Sequence, residues 1–176
     1  MTDTNTEAER ILRARAKALA IPTQSMPAGA MLELLEFRLA SERYALETRH
    51  VRDVHPLREL TPLPCTPPFV LGIVNVRGRI LPVLDLKKFF DLPERGLTDL
   101  HRIILVQGND LEFGLLADVI VGVRSVAADS LQPSLPTLTG IRAEYLKGIG
   151  EDRLVVLDVE RILADPKIIV HQEVEN

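Results

Sequence analysis

The sequence predicts an all-β protein with short helices: two small five-stranded β-barrels side by side, preceded by an N-terminal helix. Three observations carry this reading. Short apolar, β-branched runs bounded by turn residues recur from Met31 to Leu157, the pattern of half-buried strands. The runs also repeat. Tyr44-Ala-Leu46 corresponds to Phe113-Gly-Leu115, and Val51 and Val54 to Ile120 and Val123, at a constant shift of 69 residues. Gly72-Ile73, followed by Arg79-Ile-Leu-Pro-Val-Leu-Asp-Leu86, likewise parallels Gly148-Ile149 followed by Arg153-Leu-Val-Val-Leu-Asp-Val159. Finally, Thr61 to Pro68 holds four prolines in eight residues. Proline lacks a ladder donor, so this stretch is a crossover rather than a strand. Five short strands with such a crossover close more readily into a barrel than they persist as an open sheet, because closure removes edges.

The elements follow in order. Residues 1–30 form a separate helix and linker. Thr6-Glu-Ala-Glu9 fits a capping box, and Ala8, Leu12, Ala16 and Leu19 line one helical face. Arg10, Arg13 and Lys17 lie on the other side, Ile21-Pro22 stops the helix, and Thr23 to Ala30 is small and polar. Such a helix either packs on its own domain or docks on a partner. The domain proper spans residues 31–170, with barrels over about 31–90 and 101–163. Met31 to Ala40 approximates alternation, Ser41-Glu42-Arg43 reads as a turn, and Tyr44 to Glu47 and Val51 to Val54 as strands.

The central stretch is Phe69 to Phe90. Two apolar runs, Ile73-Val74 with Val76 and Ile80 to Leu84, flank Arg77-Gly78, a hairpin turn in which Gly78 supplies freedom at positive φ. Gly72 and Gly148 hold matching places in the two repeats. Asp85 and Asp158 end their strand runs and N-cap short helices. Ile103 to Val106, Leu111 to Leu116 and Val119 to Val126 are further strands, with Gly108-Asn-Asp110 turning between the first two. Ala127 to Gly140 is a second long loop. Tyr145 to Ile149 and Arg153 to Leu157 make the last hairpin, and an extra strand is expected at Ile168 to Val170.

Composition excludes several functions. The 176 residues carry a net charge of −4, two Tyr, five Phe and no Trp, against the basic, aromatic surface of a nucleic-acid binder. A single cysteine, Cys65, cannot form an internal disulfide and has no basic neighbour to activate it. His50, His55, His101 and His171 are scattered without metal-ligand spacing, so no metal and no cofactor is expected. No catalytic motif is present, and Asp85 and Asp158 read as caps rather than as an acid–base pair. With no apolar run of membrane-spanning length and no signal pattern, the reading is a non-enzymatic, cytoplasmic protein that does not insert in membranes. One ionic side chain, Arg77, stands alone amid the apolar hairpin.

The segment Gly72-Ile-Val-Asn-Val-Arg-Gly78, continuing to Leu84-Asp-Leu86, resembles the signature of the CheW family of chemotaxis coupling proteins. The resemblance extends over about residues 31–165 through Leu35 to Leu39, Tyr44, Val51-Arg-Asp-Val54, Pro67 to Phe69 and Glu144-Tyr-Leu-Lys-Gly-Ile149. The N-terminal helix departs from many members. The resemblance implies two five-stranded SH3-like β-barrels and an adaptor without catalysis or cofactor. It implies as partners the regulatory domain of a CheA-type histidine kinase, the cytoplasmic tip of a methyl-accepting chemoreceptor, and copies of itself in ring-like arrays. By position, Arg77 and Asp53 fall at the charged receptor-facing surface, with Val51, Val54 and Asn75 flanking it. Asp53 stands where many members carry Glu. A related module of a pilus or gliding-motility system, with another kinase or a response regulator as partner, is the alternative.

Overall fold

The computed structural model describes residues 29–93, 96–97, 100–133 and 141–168. The helix expected over residues 6–20 lies outside these, as do residues 169–170 of the expected last strand; Ile168 itself belongs to a turn, its N–H donating to the Asp165 carbonyl. The described residues form ten strands: β1 (Met31–Leu39), β2 (Glu42–Glu47), β3 (Val51–Pro56), β4 (Val70–Val76), β5 (Arg79–Leu84), β6 (Arg102–Gly108), β7 (Leu111–Ala117), β8 (Val119–Ala127), β9 (Leu146–Ile149) and β10 (Val155–Leu157). Two short helices, α1 (Leu86–Phe89) and α2 (Val159–Ala164), follow β5 and β10. Glu42 and Arg43 begin β2 instead of turning, because Ala40, at φ 55°, makes the reversal one step earlier.

The strands assemble into two five-stranded sheets, ordered β8-β1-β2-β10-β9 and β3-β6-β7-β5-β4. Replacing each strand by its counterpart in the repeat (β1 by β6, β2 by β7, β8 by β3, β10 by β5, β9 by β4) converts the first order into the second. Details repeat too. Asp85 donates its N–H to the Phe69 carbonyl and Asp158 to the Tyr145 carbonyl, both at 2.7 Å. In each sheet a reciprocal pair of hydrogen bonds, Thr61 with Ile73 or Gln132 with Ile149, brings the segment leaving β3 or β8 back to the strand at the far end of the order.

Sheet membership departs from the division expected at 31–90 and 101–163. The second sheet is one continuous stretch, β3 to β7, inserted between β2 and β8 of the first. Local signals specify hairpins such as β1–β2 and β6–β7, but not which later strand takes a hairpin's open edge. Here β1 is covered by β8, and β2 by a parallel β10. The chain therefore passes between sheets twice, at Thr48–His50 and at Asp118.

Each sheet has a small core of its own: Leu32, Leu34, Ala45, Leu154 and Val156 in the first, and Val74, Leu81, Val83, Ile103, Leu105 and Leu116 in the second. The largest core lies between them, with Phe37, Tyr44 and Leu46 of the first sheet buried beside Ile104, Val106 and Leu115 of the second. Phe89 of α1 joins the halves, edge-on to Phe69 at 5.1 Å and tilted against Tyr145 at 5.2 Å. Burial of such side chains contributes about 1.5–3 kcal/mol each, so the shared core dominates stability. The Asp118 crossing is fixed by charge. Its carboxylate accepts from Lys87 Nζ at 2.5 Å and from the Ala40 N–H at 2.7 Å, with His101 Nε2 at 3.0 Å, and Lys87 is only 2% exposed.

Candidate functional site

The β4–β5 turn is built for rigidity. Arg77 and Gly78 both adopt positive φ, 53° and 81°, the primed two-residue turn whose twist matches flanking strands. The Asn75 side-chain oxygen accepts from the Gly78 N–H at 2.9 Å, so Asn75 braces the turn. No atom lies within 4 Å of where a Gly78 side chain would begin, so glycine is there for its backbone angle. Gly72 is different: a Cβ there would fall 2.2 Å from the Thr61 carbonyl oxygen, and Gly72 permits the close approach that ties this sheet. At Gly148 the corresponding contact, to the Gln132 carbonyl, would be 3.0 Å. Asp85 accepts from the Lys87 N–H at 2.9 Å and Asp158 from the Arg161 N–H at 3.1 Å, each as an N-cap.

From this turn Arg77 projects with 79% of its side chain exposed, and its Nη2 lies 3.2 Å from Asp53 Oδ2. Asp53 belongs to β3 and Arg77 follows β4, the two terminal strands of the second sheet, so the pair spans the seam where that sheet meets itself. Asp53 Oδ1 also accepts from the Val54 N–H at 2.8 Å. His55 Nε2 sits 3.0 Å from Asp53 Oδ2 at an angle that makes no hydrogen bond, leaving this buried nitrogen unbonded. The Val54 N–H, helped by the charges of His55 and Arg77, holds the Asp53 carboxyl below the ordinary carboxylate range.

Of the five residues read as partner-binding, the structure brings Arg77 and Asp53 into contact. Val51 and Val54 are half-buried against the shared core, and Asn75, though exposed, is engaged by the turn.

The sequence reading missed the exposed face of β8. Val119, Val121 and Val123 are 52–60% exposed, and β8 ends the strand order of the first sheet. Its register sets Val123 opposite Leu35, Ser125 opposite Glu33 and Ala127 opposite Met31, while Val121 falls at a bulge. Leu35 belongs to the shared core, so Val123 and Met31, itself 59% exposed, continue that apolar surface outward. Val119-Ile-Val-Gly-Val123 is apolar on both faces, which in sequence reads as a buried strand; only the strand order places it at an edge. Among the described residues no group of three His, Cys, Asp or Glu side chains is arranged to hold a metal ion, and no helix is long and apolar enough to cross a membrane.

Comparison with known proteins places the fold in context. The CheW-like domain family model matches residues 33–167. The chemotaxis protein CheW of Treponema pallidum is 30% identical over 143 residues, covering 77% of this chain and 84% of that protein. Protein FrzA of Myxococcus xanthus is 33% identical over 118 residues, 66% of this chain and 72% of that one. The crystal structure of the scaffolding protein TtCheW from Thermoanaerobacter tengcongensis superposes with a TM-score of 0.66 at 33% identity, covering 76% of this chain and 86% of that one.

Proposed function

We propose a function from one premise: this chain belongs to the CheW-like domain family. It is a non-catalytic adaptor that couples chemoreceptors to a CheA-type histidine kinase in a cytoplasmic signalling array. The observation that carries the reading is the Arg77–Asp53 pair. A rigid turn presents an exposed guanidinium at a barrel seam, where it orients an incoming partner by charge while apolar surface supplies the contact area. The apolar occupant is the tip of a receptor helix, and the kinase binds through its regulatory domain.

Calorimetric titration against the regulatory domain of the same genome's CheA-type kinase tests the kinase half, with micromolar, saturable binding expected. The receptor half is tested by Arg77→Glu, expected to weaken receptor coupling at least tenfold, or about 1.4 kcal/mol, without loss of the β spectrum. Adding Asp53→Arg restores the internal pair with its charges exchanged. If the double variant recovers coupling, Arg77 acts only through Asp53; if it stays defective, Arg77 meets the partner. A second reading keeps the fold and changes the partner to the kinase or response regulator of a non-flagellar system; similarity to FrzA favours it. Titration against each candidate kinase in parallel separates the two.

A further inference from the structure

One oxygen of Asp53 faces two side chains at once: Arg77 Nη2 lies 3.2 Å from Oδ2, and His55 Nε2 lies 3.0 Å from it. The other oxygen is already spent, since Oδ1 accepts from the Val54 N–H at 2.8 Å. The two claims on Oδ2 are unequal. Arg77 is 79% exposed, and an ion pair made by so exposed a side chain is readily exchanged for water. His55 Nε2 is buried without a hydrogen-bond partner, so a positive charge on that ring needs a counter-ion beside it. Histidine is also the side chain whose charge ordinarily changes between pH 5 and 8.

We propose that His55 is a proton-operated release for Arg77. Neutral, the ring leaves Asp53 to Arg77; protonated, it reorients slightly, donates a charge-assisted hydrogen bond to Oδ2 and frees the guanidinium. Among the described residues Asp53 is the carboxylate paired with His55, and the charges on the surrounding elements are engaged elsewhere or exposed. In the Thr48–His50 crossing, Arg49 and His50 meet Glu160, and Arg49 also meets Glu47. On β3 itself Arg52 meets Glu112. On β6, Arg102 donates to the Leu100 and His101 carbonyls, and His101 meets Asp118. Arg58 and Glu59, which follow β3, are exposed. Arg77 is therefore the competing cation. The coupling is reciprocal: if the proton loosens Arg77, Arg77 must oppose the proton to the same degree.

The release concerns this chain alone; its effect on a partner, a freed Arg77 meeting an acidic surface more readily at pH 6 than at pH 8, rests on the adaptor reading above. The test is an NMR titration of the full-length chain from pH 5 to pH 8, following the His55 ring and the Arg77 side chain. The Arg77 signals are expected to move with the His55 midpoint and to stop moving in His55→Gln. Asp53→Asn should lower the His55 midpoint by about one pH unit, and Arg77→Gln should raise it. An Arg77 side chain that ignores the His55 titration overturns the proposal. So does a His55 midpoint unmoved by Arg77→Gln in a folded chain, or a His55 that does not titrate in this range. Receptor coupling should strengthen about threefold from pH 8 to pH 6 in the unsubstituted chain and stay flat in His55→Gln. An equal rise in His55→Gln would overturn the link to the partner. Absence of coupling at every pH would count against the adaptor reading instead, because the His55 and Arg77 resonances judge the release without a partner.

Discussion

Lys87 has 2% of its side chain exposed, on a four-residue helix, and no local rule announces that a lysine there will be interior. What makes it tolerable is Asp118, thirty-one residues away in sequence. Burial alone would raise the Asp118 carboxyl, but the Lys87 hydrogen bond, the Ala40 N–H and the charges of Lys87 and His101 outweigh it and hold the carboxyl below its ordinary value. A carboxyl lowered in the native state stabilises the fold above the unfolded pKa, about 3.9, and loses that contribution as pH falls through the native value. Asp118→Asn is therefore expected to cost about 3 kcal/mol at pH 7 by urea unfolding, since it strands a buried ammonium. The deficit should shrink toward pH 3. Lys87→Met/Asp118→Leu should cost far less than Asp118→Asn. The exposure of Arg77, by contrast, was legible: an ionic side chain at the turn of an apolar hairpin belongs at the surface. Its pairing with Asp53 was not, because that contact depends on how the ends of a sheet meet.

Strands and caps were the most readable elements, since period-two alternation, paired turn residues and aspartates at strand ends act locally. The repeat was equally plain, and the matched strand orders give it a structural basis. It does not make the two copies equivalent in tolerance. Gly72 lies at φ 149° against the Thr61 carbonyl, whereas Gly148 has no positive φ and a looser neighbour. Gly72→Ala should destabilise by about 2–3 kcal/mol and Gly148→Ala by about 1 kcal/mol or less. In a thermal melt of a chain this size, that is a drop of about 6 °C against one of about 2 °C. Equal drops would mean that the two close approaches do the same work. Edge status, which exposes β8, is a property of strand order and is absent from any one strand's residues.

The assignment of strands to sheets belongs to the whole molecule, and there a reading by halves goes astray. Residues 51–117 contain every strand of the second sheet and look excisable, yet they would expose Ile104, Val106, Phe113 and Leu115 where the shared core had covered them. The excised segment should show no cooperative melt and no dispersed amide spectrum, while residues 29–176 should unfold in one transition. A separately folding 51–117 fragment would demote the shared core to an ordinary domain interface. The two passages of chain between sheets, at Thr48–His50 and Asp118, have a mechanical meaning as well. A domain hung from one linker can swivel, but one inserted by both of its ends is pinned like a clevis and passes torque as well as tension. A partner that turns one barrel must turn the other, so whatever grips the two barrels in a lattice is geared together by the covalent chain.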